Sequence, residues 1–366
     1  MSRDFIASVH ESLELQGTGD ARLLSMEGLR GVAVSLVFIQ HFAYQALLLG
    51  HFDGIGLVAM QALRGYGNLG VELFFVLSGY LIYGALLKRG VPVLRFMRRR
   101  VQRIYPAFLV AFLIYIAAVE LGGMEGKIPR DPMQAILFFA SNLLFLPGLF
   151  PLPILMSVAW SLSYEMFFYL VCGSVARVLK LYEKSNETRL RGVVAVAIAF
   201  YVACLLFSWM PVRMLPFFAG MLLAEGIGVA RFRAPEAVGL IAPFIALAIS
   251  RMNILSAQPT ELMHTVAFFF LGSACLSGPF AGRLLSWTPL RLLGNMSYSY
   301  YLMHGLTVIS LSILTGRTIG TDIPTWVLWS TLPFVFVLSL IPAYLLFLLI
   351  ERPISLQPRA RGPALA

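Results

Sequence analysis

Arg30 and His41 stand in the stretch GLRGVAVSLVFIQH, residues 28 to 41, separated mainly by apolar residues. A charged side chain near the centre of a bilayer costs at least ~2.5 kcal/mol, so such a residue reads first as part of a site. At about 100° and 1.5 Å per residue, the two side chains share one helix face roughly 16 Å apart. Arg30 then lies near one membrane surface and His41 deep, toward the other. Glu72 in GVELFFVLSGYLI and Glu165 in WSLSYEMFFY open helices that run the opposite way, which predicts both carboxylates at the depth of His41. An imidazole beside a carboxylate is held in one tautomer and made more basic, as a general base requires. His41, Glu72 and Glu165 are therefore the expected catalytic groups, with Glu72 orienting His41. A structural helix tie is the bland alternative for any single one of them.

Other polar residues stand where burial is costly. In NMSYSYYLMHG the spacing i, i+4, i+7 puts Ser297, Tyr301 and His304 on one stripe. RRRVQRIYP places Arg100 and Arg103 about one turn apart, and arginine forks grip phosphate oxygens in pairs. Arg98 and Arg99 are explained by membrane orientation alone, and Glu351 in LLIERPI by an ordinary pair with a neighbouring arginine. Arg30, Arg100 and Arg103 would thus hold the phosphate-rich head of a donor, and a narrow arm of about 16 Å would reach the base. An acyl-coenzyme A has that shape. On this reading Ser161, Ser163 or Tyr164 steadies the oxyanion formed as an acceptor hydroxyl attacks the thioester, and Tyr301 and His304 lie near the acceptor.

These residues need a membrane scaffold. Of the 366 residues 59% are hydrophobic and 13% charged, against about 45–50% apolar and 25% charged in soluble domains. The spacing predicts an all-α, polytopic membrane bundle. Apolar runs fall at 27–49, 67–87, 104–122, 134–150, 159–179, 192–210, 212–230, 235–250, 261–280, 294–315 and 325–350. The run at 134–150 is short and leads into Pro147, Gly148, Pro151 and Pro153, which suits a re-entrant or half-helix segment. If it does not cross, about 22 of the 28 Lys and Arg fall on one side; if it crosses, the asymmetry disappears. About 10 transmembrane helices follow, with both termini cytoplasmic and the protein in the plasma (inner) membrane. The division is 1–26 as a cytoplasmic segment, 27–351 as the membrane domain and 352–366 as a cytoplasmic tail. The net charge of +10 is spread through short loops, which argues against nucleic acid as a partner. Cys172, Cys204 and Cys275 lie within apolar runs without metal-ligand spacing, so no metal is expected.

EGLRGVAVSLVFIQH, GVELFFVLSGYLI, RRRVQRIYP, WSLSYEMFFY, SYSYYLMH and the terminal ERP resemble, in order, the motifs of the bacterial acyltransferase-3 family of integral membrane O-acyltransferases. The resemblance covers about residues 24 to 353. It implies transfer of an acyl group, usually acetyl, from cytoplasmic acyl-coenzyme A to hydroxyls of surface or exopolysaccharide, lipid-linked sugars, oligosaccharides or macrolides. Arg30 and His41 match the family's arginine and essential histidine, and Glu72, Arg103, Glu165 and His304 match its other polar positions. A membrane transporter or flippase of lipid-linked sugars or acyl groups is the rival reading, since proton relays also keep His, Glu and Arg inside a bundle. A non-catalytic assembly subunit and the other large membrane O-acyltransferase family are weaker alternatives.

Overall fold

The computed structural model describes residues 8, 10–14, 21–88, 92–122, 127–207, 209–226, 235–252 and 254–356. Most of segment 1–26, the loop arginines Arg231 and Arg233, and the tail beyond 356 lie outside the described residues.

The protein is an all-α membrane bundle. Helix α1 (Ala21–Leu49) leads to the two-residue strand β1 (Gly50–His51), and α2 (Gly54–Tyr66) continues almost straight into α3 (Asn68–Ser78). A π-helical turn, Gly79–Tyr83, follows. Next come α4 (Val93–Leu121), α5 (Pro132–Leu143), α6 (Trp160–Val178), α7 (Asn186–Leu206), α8 (Leu215–Ala224), α9 (Glu236–Arg251) and α10 (Ala257–Ser277). Short helices α11 (Pro279–Leu285) and α12 (Thr288–Asn295) lead to α13 (Ser297–Thr318), strand β2 (Ile323–Pro324) and α14 (Thr325–Leu346). The last helix passes into a π-helical stretch, Phe347–Ser355, that carries Glu351. β1 and β2 pair in parallel, Gly50 with Ile323 and His51 with Pro324, and clip α1 to α14 at one end of the bundle.

Seven helices among the described residues are long and apolar enough to cross a membrane. α13 spans 22 residues but carries Ser297, Tyr298, Ser299, Tyr300, Tyr301 and His304, which lower its hydropathy. α9 has 16 residues and α8 only 10. The expected span at 212–230 is thus a short apolar helix that stops at the buried Glu225.

The run at 134–150 is a half-helix. α5 has 12 residues, about 18 Å, too short to cross. Asn142 ends it: its amide donates to the carbonyls of Phe138 and Pro153, and its oxygen accepts from the Leu155 N–H. Phe145 turns the chain with φ of 54° and buries its ring, 2% exposed, between Tyr105 and Phe108.

Two helices begin earlier than the apolar runs foretell. VLRFMRRRVQR holds no helix breaker after Pro92, so α4 starts at Val93 and the arginines are helical. The helix expected to enter the membrane at residue 67 begins at Gly54, and Gly67 itself is helical, with φ −66° and ψ −24°. It runs antiparallel to α1. Arg64 lies over the Tyr44 ring, Gln40 donates to Asn68, and Gly70 rests on the Ala33 backbone.

α1 also packs tightly on its other side. A Cβ on Gly28 or Gly31 would overlap the carbonyls of Leu285 and Leu290, so only glycine permits that approach of α11 and α12. Close packing there fixes the rotation of α1, and with it the direction of Arg30.

Candidate active site

The antiparallel register sets the depths. His41 is level with Gly67 and Asn68, so Glu72 lies about 7 Å further along α3, and Ser78 about 9 Å beyond that. The three groups expected in one layer occupy three.

The lowest layer is a cavity of about 330 Å³, lined by Arg30 from α1, Arg100 and Arg103 from α4, Ser161 and Glu165 from α6, and Tyr301 from α13. Arg103 faces Glu351 at 3.4 Å. Glu351 is fully buried and accepts from the Ser299 N–H at 3.1 Å and its hydroxyl at 2.5 Å. Arg100 lies over the rings of Phe96 and Tyr169, at 5.2 and 5.8 Å, and its Nε has no hydrogen-bond partner among the described residues. Arg30 makes no ion pair among them either. Glu165 accepts from the Ser78 hydroxyl at 2.8 Å and from the Tyr169 hydroxyl. Three guanidinium groups against two carboxylates leave the cavity cationic, with donor groups of Arg30 and Arg100 free for an anion.

At the far wall the Ser161 and Tyr301 hydroxyls lie 2.7 Å apart, and Tyr301 also donates to the Val158 carbonyl at 2.8 Å. The Tyr301 ring neighbours His304, whose ring meets that of His41 edge-on with centroids 5.1 Å apart. His304 is fully buried and stacks on Tyr300. Its Nδ1 is 2.9 Å from the Tyr300 carbonyl, which can only accept. The ring proton is therefore on Nδ1, and Nε2 is a lone pair with no partner among the described residues. His41 and His304 do not line the cavity; Tyr301 joins it to them.

The structure thus brings Arg30, Arg100, Arg103, Ser161, Glu165 and Tyr301 to one cavity and sets His304 and His41 above it. It does not bring Glu72 to His41. Glu72 Oε2 is instead 3.2 Å from His264 Nδ1. The cause is depth, because α2 adds 13 residues above the expected entry point, and also rotation. Val71, Phe74, Phe75 and Ser78 face the cavity, whereas Glu72 is turned about 100° away, toward α10. Glu165 likewise sits in the arginine layer rather than beside His41. Ser163 donates to the Pro147 carbonyl and so anchors the turn after α5. Tyr164 packs edge-on against Phe75 and Trp160 and is not part of the cavity wall.

Glu225, Glu261 and His264 are among the buried polar residues that escaped the sequence reading. Glu225 accepts from Tyr83, Asn186 and Arg189. Glu261 and His264 lie beside Glu72. Their signal is present as ELMH, a carboxylate and a histidine at i, i+3 in an apolar run, but their helix was read for length alone.

A family model described as an acyltransferase domain matches residues 23–348. The chain is 29% identical over 304 residues to the exopolysaccharide production protein ExoZ of Rhizobium meliloti (strain 1021), covering 81% of this chain and 92% of that protein. It is 28% identical over 336 residues to the acyltransferase MdmB of Streptomyces mycarofaciens, covering 82% of each. It is 26% identical over 330 residues to the putative peptidoglycan O-acetyltransferase YrhL of Bacillus subtilis (strain 168), covering 80% of this chain and 51% of that protein. No solved structure matches it. A family match across nearly the whole length, on a multi-pass bundle with a cationic cavity beside buried histidines, leads to one assignment: the chain belongs to the acyltransferase-3 family of membrane acyltransferases.

Proposed function

We propose that the protein transfers an acyl group, acetyl in the first instance, from acyl-coenzyme A to a hydroxyl of an extracellular or lipid-linked glycan. The observation that carries this reading is the continuous column of Arg100, Arg103 and Arg30, the cavity, Ser161 with Tyr301, His304 and His41. The arginine end suits the donor's phosphates. The cavity, at the low end of the roughly 300–1,000 Å³ range of ligand pockets, admits the donor's arm rather than the whole molecule.

His41 is the general base. It takes the proton of the acceptor hydroxyl as that oxygen bonds to the thioester carbonyl carbon. The carbon–sulfur bond then breaks, and the proton passes from His41 to the departing sulfur. His304 takes the orienting role expected of Glu72: its bare Nε2 is the acceptor available to a His41 N–H, which would leave the other His41 nitrogen as the lone pair. Ser161 steadies the oxyanion, since the Tyr301 O–H is committed to the Val158 carbonyl. Relatives named for exopolysaccharide production and for peptidoglycan O-acetylation support a glycan acceptor. With the arginine-rich end in the cytoplasm, the donor enters from inside, both termini are cytoplasmic, and the bundle resides in the plasma membrane.

The test uses purified protein in liposomes with labelled acetyl-coenzyme A and a lipid-linked glycan extract. Wild type is expected to release thiol and label the extract. His41→Ala should do neither, a loss of about 10²–10⁴-fold, while still binding donor. Equal activity in the variant removes His41 from the mechanism, and absence of coenzyme A binding in wild type removes the donor assignment.

A further inference from the structure

Outside the cavity, a cluster of buried ionisable groups without hydrogen-bond partners among the described residues has no part in the proposed acyl transfer. Glu72 on α3 and Glu261 and His264 on α10 are 8%, 7% and 8% exposed. Their ligand atoms, one carboxylate oxygen from each Glu and one ring nitrogen, all lie within 4.8 Å of one another. Glu72 Oε2, Glu261 Oε1 and both ring nitrogens of His264 make no hydrogen bond among the described residues, nor does the neighbouring Thr265 hydroxyl.

Two carboxylates facing each other inside a membrane bundle repel, and leaving them without donors forfeits their hydration. Arg213 acts on Glu261 from beyond ion-pair distance, and otherwise the surroundings offer little relief. Leu69, Leu73, Val76, Ala219, Leu223 and Phe268 form the apolar core beside them. Nor does the cluster resemble a simple ion pair. An imidazolium could balance only one of the two carboxylates, Arg213 makes no ion pair with either, and the His264–Glu72 contact lacks hydrogen-bond geometry.

We infer that Glu72, Glu261 and His264 form a binding site for one divalent first-row transition-metal ion that ties α3 to α10. A Glu-x-x-His pair on one helix with a Glu from a facing helix is the way helical bundles build carboxylate metal sites. Here it is Glu261 and His264 with Glu72. Mixed imidazole and carboxylate donors select zinc, iron or manganese rather than calcium or magnesium. In a tetrahedral site with bonds of about 2.0–2.1 Å, ligand atoms stand about 3.4 Å apart. The 3.2 Å between Glu72 Oε2 and His264 Nδ1 fits one edge, and the other ligand atoms already lie within 4.8 Å of one another. Charge also balances: two carboxylates and one dication make a neutral unit, the form a low-dielectric interior tolerates.

The site lies on a different face of α3 from the cavity and is read without any acyl donor, so it stands or falls separately from the proposed transfer reaction. The first experiment measures metal in the full-length protein, purified in detergent through a histidine-free tag and dialysed against micromolar Zn²⁺ or Mn²⁺. Wild type should retain about one metal per chain, and Glu261→Gln and His264→Gln should each bind at least about 10-fold more weakly. No retained metal in wild type, or equal retention in both variants, overturns the site; a shared proton is then what occupies the cluster. Should the variants fail to fold, X-ray absorption at the metal edge of the wild-type protein decides. One imidazole nitrogen with carboxylate oxygens supports the site, and sulfur or purely oxygen ligation overturns it.

Discussion

His304 shows how one hydrogen bond assigns a role. The Tyr300 carbonyl fixes its proton on Nδ1, and burial leaves Nε2 facing an environment with no other partner among the described residues. His304→Phe keeps a ring to stack on Tyr300 but removes that lone pair. Turnover is expected to fall about 10²-fold, the low end of acid–base assistance, with donor affinity unchanged in a binding assay. Ser163 makes the opposite case. Its hydroxyl is committed to the Pro147 carbonyl, so Ser163→Ala should act on folding rather than on the chemical step. Orphaning that carbonyl costs about 1–3 kcal/mol, read as a lower unfolding midpoint, while turnover per folded molecule stays near wild type. A large loss of kcat with unchanged stability would return Ser163 to the oxyanion site.

At the scale of elements, the least buried of the seven candidate spans among the described residues is held by its polar end. Only 11% of the apolar window of α7 is buried, yet Arg189 and Asn186 in its first turn grip the buried Glu225 after α8. Tyr83, in the π-helical turn beyond α3, donates to the same carboxylate at 2.5 Å. Arg189→Leu leaves a buried carboxylate without its ion partner and is expected to destabilise the protein by about 3–5 kcal/mol. The double change Arg189→Leu with Glu225→Gln should recover part of this, and thermal unfolding of both variants checks it. The glycines of EGLRG work by contact. Gly31→Leu would push α12 away from α1, so folded yield should drop and the remaining protein should lose donor affinity through a displaced Arg30.

For the whole molecule, the cationic cavity sits apart from the point where the bundle is clipped together. The arginine cavity lies at one end, and the β1–β2 clip closes α1 to α14 at the other. Arg30→Gln and Arg100→Gln should each weaken coenzyme A binding by about 10- to 100-fold, the worth of one charge-assisted hydrogen bond. The wild-type affinity should fall as salt is raised and that of the variants less steeply, in titrations over a range of ionic strength. Reporter fusions at both ends should be active only in the cytoplasm.

Sequence by itself determined the membrane class, the short segment ahead of Pro147 and the arginines that gather at one cavity, because hydropathy, proline and charge are local properties that need no partner to be read. It also placed Arg30 and His41 on one helix, since the helical repeat is fixed. Which polar groups meet was decided only in three dimensions. Glu72 and His41 looked level as long as the second helix was taken to begin where its apolar run begins. The polar-tolerant turns of α2 lowered Glu72, and the rotation of α3 turned it to His264 on a helix almost two hundred residues away in the chain. Depth depends on where a helix starts and facing depends on its rotation, and the rotation of α3 is set by packing against α1, α8 and α10, whose contacts no local pattern encodes.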